Sequence, residues 1–293
     1  MTLGRWRGLA HKDGLIGWSA GVNYRHAFHA GNFADCMKHA VLVWLLRALA
    51  RKDKPFAVLD THAGVGTYEL DVGPAARTGE WRFGIGRLRG NPHPALTDYL
   101  GLVERLGLYP GSPALTRAVL RAGDSLVCCE LHPEDVTALR LVFRGDDQVA
   151  VHRRDGWEAL GALLPPKVRR GLVLIDPPYE AADEFDRLAE GLALAHRRFA
   201  EGMLAAWYPI KSRAASRALH DRLRAGAIRD VLAVELYLRT PIEAARLNGC
   251  GMILVNPPFG CAGAMRALLP ALLGGLIAAE EGAGWDVIRL ADE

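Results

Sequence analysis

The chain has 293 residues, 36 basic against 33 acidic side chains, a formal net charge of +3, and half of its residues are hydrophobic. That is enough chain to bury a sizeable core, and the composition excludes a long disordered protein. The basic excess is too slight to name a polyanionic partner, although most of the basic residues are Arg, which favours planar recognition of phosphate.

In chain order, residues 1–21 are rich in Gly, follow neither a helical nor a strand period, and read as a poorly ordered extension before one domain spanning 22–293. Gly4, Gly8, Gly14 and Gly17 interrupt any apolar stretch that would serve as a signal peptide. Phe33, Met37, Val41 and Leu45 recur every four residues and predict an amphipathic helix ending near Ala50. Pro55 then forbids helix continuation. After it come short apolar runs, each closed by a turn: Ala57–Asp60, Leu126–Glu130, Val149–His152 and Leu172–Asp176. Later strands are expected at Met203–Tyr208, Val231–Tyr237 and Met252–Val255. Seven such runs alternating with helical stretches imply an α/β fold, Rossmann-like, with a mostly parallel sheet covered on both faces. The first two strands lie about twice as far apart as a βαβ unit requires, so about 69–110 is expected to be an inserted helical subdomain. The longest uncharged stretch, Ala267–Ala279, is too short for a membrane span and contains Pro270, Gly274 and Gly275. Five cysteines form no C-x-x-C pair and no His-flanked spacing, so reduced core thiols and no zinc are expected in a cytoplasmic protein.

Ligands of such sheets bind outside the carboxyl ends of the strands. Four consecutive strands run into an acidic residue there: Asp60, Glu130, Asp155 and Asp176. Each alone is more simply a helix cap or turn residue. Together they describe a crevice for a cation or for a ligand rich in hydroxyl and amino donors. The loop after the first strand carries Gly64 and Gly66, but Glu69 stands where a dinucleotide fingerprint needs its third Gly. A carboxylate there is a poor neighbour for pyrophosphate. S-adenosylmethionine suits better, with Gly64 near its methionine end, Glu130 on the ribose diol and Asp155 on the adenine amine. For Glu130 and Asp155, helix capping is the competing and less favoured reading.

Asp176-Pro177-Pro178-Tyr179 carries the chemistry. D/N-P-P-Y/F/W after an apolar strand marks methyltransferases acting on an amino group conjugated to a ring or carbonyl. Such a nitrogen is a poor nucleophile because its lone pair is delocalised. Acceptors on Asp176 and on the Pro177 carbonyl can each take one N–H, aiming the lone pair at the methyl group. The prolines fix those acceptors, so positioning supplies most of the catalysis. Tyr179 offers a face for an unstacked base. A second copy, Asn256-Pro257-Pro258-Phe259, sits on what is expected to be the last strand and is assigned no catalytic role.

The segments from Tyr24 to Asp35 (Y-R-H-A-F-H-A-G-N-F-A-D), Lys38-His39, Lys54-Pro55-Phe56, Leu59–Gly64, Tyr109–Pro113, Glu130–Pro133, Asp155-Gly156, Ile175–Tyr179 and Trp207–Pro209 resemble the bacterial RlmJ family of 23S ribosomal RNA adenine-N6 methyltransferases, the adenine-2030 type. The resemblance spans Tyr24 to Phe259 and implies a class I methyltransferase with a helical insertion, S-adenosylmethionine as donor and Asp176 as the catalytic residue. It further implies His39, His62, Ser112, Glu130, Asp155 and Gly156 in the cofactor site and Tyr24 against the substrate. Read locally, His39 is a packed or solvated histidine, Ser112-Pro113 an N-cap and N1 pair, and Tyr24 simple packing. Family members begin one or two residues before this Tyr; Val22 stands where their initiator Met is expected, so the first 21 residues read as a start-site artefact or a tail with an RNA role.

The main expectation is therefore a monomeric, cytoplasmic enzyme methylating an adenine N6 of 23S ribosomal RNA, with no membrane partner. A DNA adenine-N6 methyltransferase needs the same motif. A protein glutamine methyltransferase would spell it N-P-P-Y, and a catalytically inactive RNA-binding protein would not need four carboxylates. Arg77 to Arg89, with Tyr24 and Arg25, are the expected RNA contacts.

Overall fold

The computed structural model describes residues 26–243, 245–276 and 280–292. The expectations for residues 1–21, and for Tyr24 and Arg25, lie outside them. Helix α1 (Phe33–Ala50) starts where Asn32 accepts from the backbone N–H groups of Ala34 and Asp35, both at 3.0 Å. Strand β1 (Ala57–Asp60) follows, then β2 (Thr67–Tyr68) and the short helices α2 (Gly73–Thr78), α3 (Ile85–Leu88) and α4 (Thr97–Leu106). Strand β3 (Tyr109–Pro110) pairs antiparallel with β2 and pins the base of this helical excursion. Then come α5 (Ser112–Arg117), β4 (Ser125–Glu130), α6 (Pro133–Val142), β5 (Val149–Arg153), α7 (Gly156–Ala162) and β6 (Gly171–Ile175). The last part holds α8 (Glu184–Arg198), β7 (Met203–Ile210), α9 (Arg213–Ala225), β8 (Val231–Tyr237), β9 (Gly249–Val255), α10 (Cys261–Leu276) and β10 (Gly284–Ala291).

The main sheet has eight strands in the order β10-β8-β9-β7-β6-β1-β4-β5. From β5 to β7 all neighbours are parallel; β9 runs antiparallel to both β7 and β8, and β10 antiparallel to β8. The eighth strand, β10, is one more than the sequence reading counted. Successive residues alternate between the two faces. Val58, Leu126, Leu172 and Leu174 pack with α1, α5 and α10 on one side, whereas Leu59, Cys129, Val173 and Ile175 pack with α7, α8 and α9 on the other. Side chains from 70–103 join the first of these cores rather than forming one of their own.

Helix α1 departs from the amphipathic expectation. It is buried around most of its circumference, wedged between the sheet, α4, α5 and α10, and its buried set includes Asp35, Lys38 and His39. A buried helix carrying three ionisable groups needs partners for them, and these lie at the carboxyl edge of the sheet. All five cysteines are buried and unpaired. Among the described residues no helix is long and apolar enough to cross a membrane.

Candidate active site

A cavity of about 490 Å³ opens at the carboxyl ends of β1, β4, β5 and β6. Its size falls within the roughly 300–1,000 Å³ of small-molecule sites. His39, His62, Gly64 and Ser112 line it, as do Glu130, Asp155 and Gly156, and so do Asp176, Pro177 and Tyr179. Thus every described residue assigned to catalysis or cofactor binding reaches one space.

Asp60 does not line that space. It lies beneath it, fully buried, accepting from Ser112 Oγ at 2.6 Å and from the His62 N–H at 3.3 Å. Burial pushes its carboxyl up to about 7, against the lowering effect of the Ser112 hydroxyl. The acidic file is therefore three residues facing the cavity and one supporting it. Ser112 is the first residue of α5 and not its N-cap, which is Gly111, so its hydroxyl is spent on Asp60.

The capping reading, disfavoured above, holds for Asp155: its Oδ1 accepts from the N–H groups of Trp157 (2.8 Å) and Glu158 (3.0 Å). A cap fixes the carboxylate without removing it from the cavity. Glu130 is fixed more strongly, accepting from Gly64 at 2.9 Å, Leu131 at 2.8 Å and His132 at 2.9 Å. A carboxylate offers about four lone-pair sites, so three amides orient Glu130 and still leave capacity for a hydroxyl.

The two histidines are neutral. Burial lowers His39 to about 3 and His62 to about 4. Thr61 Oγ1 donates to the Leu174 carbonyl at 2.9 Å and so accepts from His62 Nδ1 at 2.8 Å, which makes His62 Nε2 the acceptor. That ring leaves no room for a side chain at position 156: a Cβ there would stand 2.5 Å from the Thr61 carbonyl oxygen and 2.6 Å from His62 Cε1.

Beside these, the structure brings in residues to which the sequence reading gave no role. Lys38 reaches Asp176 Oδ2 at 2.5 Å and Asp35 Oδ1 at 3.0 Å. Burial would lower the Lys38 ammonium, but the Asp176 and Asp35 carboxylates outweigh it and hold it well above its ordinary value. Asp35 also meets His26 Nε2 at 3.0 Å and the Gly31 N–H at 2.9 Å. Burial opposes its ionisation, yet His26 and Lys38 hold it well below the usual carboxylate range. Tyr179 adopts φ +54°, a left-handed conformation that costs a non-glycine residue about 1 kcal/mol. Its hydroxyl donates to the Trp207 carbonyl at 3.0 Å, and its ring meets those of Phe185 (5.1 Å) and Trp207 (5.6 Å). The signal for Lys38 was the run from Tyr24 to His39, where it stands beside a residue assigned to the cofactor.

Asn256 is elsewhere. Because β9 runs antiparallel, its carboxyl end lies at the opposite edge of the sheet. There Asn256 Nδ2 donates to the carbonyls of Ala200 (2.7 Å) and Gly202 (2.8 Å), closing a turn. The strand before it is third from one edge of the sheet, and β10 follows it in the chain.

A sequence model of the family described as "Ribosomal RNA large subunit methyltransferase D, RlmJ" matches residues 53–288. The chain belongs to the RlmJ family. It is 43% identical over 270 residues to ribosomal RNA large subunit methyltransferase J of Escherichia coli, covering 89% of this chain and 96% of that one. To the Haemophilus influenzae protein of the same name it is 39% identical over 282 residues, covering 93% of this chain and all of that one. A crystal structure of a Legionella pneumophila protein superposes with a TM-score of 0.81 at 31% identity, over 89% of this chain and 98% of that one. This RlmJ-family chain is a class I methyltransferase, and S-adenosylmethionine is its cofactor. The residues present fit that molecule: fixed carboxylates for hydroxyl and amino donors, neutral imidazoles, and no phosphate-binding glycine turn. Tyr24, assigned to the substrate, lies outside the described residues.

Proposed function

We propose that the chain methylates the exocyclic N6 of an adenine in 23S ribosomal RNA, the adenine-2030 position of this family, acting as a cytoplasmic monomer. Methylation of ribosomal RNA is the activity for which its relatives are named. One observation carries the finer reading. The Asp176-Pro177-Pro178-Tyr179 turn opens into the same cavity as Glu130 and Asp155, with Lys38 bound to Oδ2 of Asp176.

The cofactor supplies an electrophilic methyl group on a sulfonium. Glu130 and Asp155 would hold its ribose and adenine, and His39, His62, Gly64, Ser112 and Gly156 would shape the rest of its seat. Lys38 fixes Asp176 Oδ2 and leaves Oδ1 to accept one N6–H, while the Pro177 carbonyl accepts the other. The nitrogen lone pair, freed from conjugation with the ring, then points along the transfer axis. Tyr179 stacks on the extruded base, its ring held from behind by Trp207 and Phe185. Methyl transfer leaves N6 cationic and acidic, and its proton then passes to solvent.

Transfer of a tritiated methyl group to 23S transcripts, duplex DNA and protein tests the reading. Asp176→Ala, which removes the acceptor, is expected to lose roughly 100- to 1,000-fold in kcat while S-adenosylhomocysteine still binds, and Asn256→Ala keeps its turnover. Methylation of duplex DNA or protein in preference to RNA, or a fully active Asp176→Ala enzyme, overturns it.

A further inference from the structure

The helical excursion between β2 and β3 carries a surface that the cofactor cavity does not use. From Gly73 to Gly90 four arginines, Arg77, Arg82, Arg87 and Arg89, are exposed. The one carboxylate in that stretch, Glu80, is engaged by His29 Nδ1 at 2.9 Å and Asn32 Nδ2 at 3.0 Å. Four guanidinium groups against one engaged carboxylate leave this surface net cationic.

Each of these guanidinium groups lies against an aromatic ring. Arg77 Cζ is 5.6 Å from the centre of Phe28, Arg82 and Arg89 are 5.6 and 6.0 Å from Trp81, and Arg87 is 5.5 Å from Phe83. Phe83 is 65% exposed, whereas Trp81 is half-buried. A lone exposed Phe means nothing by itself. Here Arg87 is tied down, its Nη1 donating to the Leu276 carbonyl at 2.7 Å at the end of α10. The Phe83 ring thus stands beside a fixed cation with the rest of its surface open to solvent.

Location selects the occupant. Glu80 lines the catalytic cavity, and Phe83 ends the same short helical turn, Glu80–Phe83. Three residues of chain span at most about 11 Å. Phe83 therefore lies near enough to a cavity-lining residue for one extended strand to reach both. A polyanion with flat apolar faces matches an exposed ring beside one fixed guanidinium, with three more exposed guanidinium groups on the same excursion; an acidic peptide matches the charge but not the ring.

We infer that Phe83 with Arg77, Arg82 and Arg89 seats the unpaired nucleotides that flank the target adenine, one base stacking on Phe83 and the neighbouring phosphates meeting the three arginines. Arg87 acts through Phe83 and holds the ring in place. The inference rests on the RNA reading above and adds to it the form of the substrate: a strand opened on at least one side of the methylated base.

The test uses the full chain and a fluorescently labelled, unpaired RNA strand bearing the target adenine, with affinity read by anisotropy so that no turnover is needed. Phe83→Ala is expected to bind about tenfold more weakly, and Phe83→Trp to restore wild-type affinity. Replacing both Arg82 and Arg89 by Gln is expected to flatten the slope of log affinity against log salt by roughly 1.4, two phosphates at about 0.7 each on a single strand. Binding of S-adenosylhomocysteine, unchanged in every variant, shows that the fold is intact. Equal RNA affinity in Phe83→Ala and wild type overturns the seat, and so does a loss that Phe83→Trp fails to restore. Methyl transfer to 23S transcripts is measured in parallel: its absence in the wild type overturns the substrate reading and is a separate result from the anisotropy.

Discussion

At the scale of single residues, the Lys38 ammonium between Asp35 and Asp176 joins stability to catalysis. Side-chain exposures are 6% for Lys38 and 1% for Asp35, so both charges are tolerated only as a pair, and each also meets a further group. Removing the cation leaves the buried Asp35 with only His26 and the Gly31 N–H and leaves Asp176 without its ion-pair partner, a loss of about 3–5 kcal/mol in comparable pairs. Lys38→Met should therefore lower Tm clearly and cut kcat by roughly 100-fold, the usual effect of misplacing a reacting group by an ångström. Adding Asp35→Asn should recover much of the Tm, because one of the stranded charges is gone, but none of the kcat, because Asp176 still lacks its anchor. Recovery of both together would mean that Lys38 only holds the helix in place. Sequence reasoning found Asp176 through its motif and missed Lys38. The two are 138 positions apart, and a lysine on an apolar helix reads as a surface residue until the helix is seen to be buried. Ser112 misled in a similar way. Its neighbour Pro113 is a good N1 residue, but the hydroxyl answers a buried carboxylate on β1 rather than the helix it begins.

At the scale of elements, the parallel strands were legible because each is a short apolar run closed by Asp, Gly or Pro. Strand β10 was not. It is an edge strand with little burial, and a register shift between Arg289 and Ala291 breaks the alternation that would announce it. The two-residue strands β2 and β3 leave no periodic signal at all, yet the Gly111 N–H donating to the Gly66 carbonyl at 2.8 Å beside them sets the loop that Gly64 shares with the cofactor site. The entry to α7 shows how tightly such a junction is built. Gly156 has no room for a Cβ against Thr61 and His62, whereas Gly161 on the same helix has nothing within 4 Å. Gly156→Ala is expected to displace His62, weaken S-adenosylhomocysteine at least tenfold by calorimetry, and lower Tm. Gly161→Ala is expected to leave binding alone and to gain up to about 1 kcal/mol from helix propensity. Equal cofactor affinity in the two variants would show that the β1 loop gives way and that the contact at Gly156 does not shape the site.

At the scale of the molecule, the carboxyl edge of the sheet is where buried ionisable groups collect, and their opposing shifts set how stability follows pH. Two imidazoles titrate near 6.5 in the unfolded chain but only at about 3 (His39) and about 4 (His62) in the fold. Their contribution is fully present above 6.5 and is lost as pH falls toward those values. Asp60 runs the other way, with a native value of about 7 against roughly 3.9 unfolded. Its contribution is complete in acid and is lost as pH rises through neutrality. Between about pH 4.5 and 6 the unfolded state holds two protons that the native state lacks, and the native state holds one that the unfolded state lacks. The net difference of one proton makes stability rise by roughly 1.4 kcal/mol per pH unit from these three groups. Above 6.5 only Asp60 of these three still changes, and the sign reverses; His29, raised by its hydrogen bond to Glu80, loses stability in the same direction. Urea unfolding of the cofactor-free protein should accordingly show greatest stability near pH 6.5. Asp60→Asn keeps an acceptor for the His62 N–H and removes the opposing proton. It should steepen the acid limb toward about 2.7 kcal/mol per unit and make the decline from pH 6.5 to 8 shallower, leaving the part that His29 contributes. A wild-type decline over that upper range indistinguishable from that of Asp60→Asn would show that Asp60 is already ionised at neutrality and that Ser112 holds it as a carboxylate.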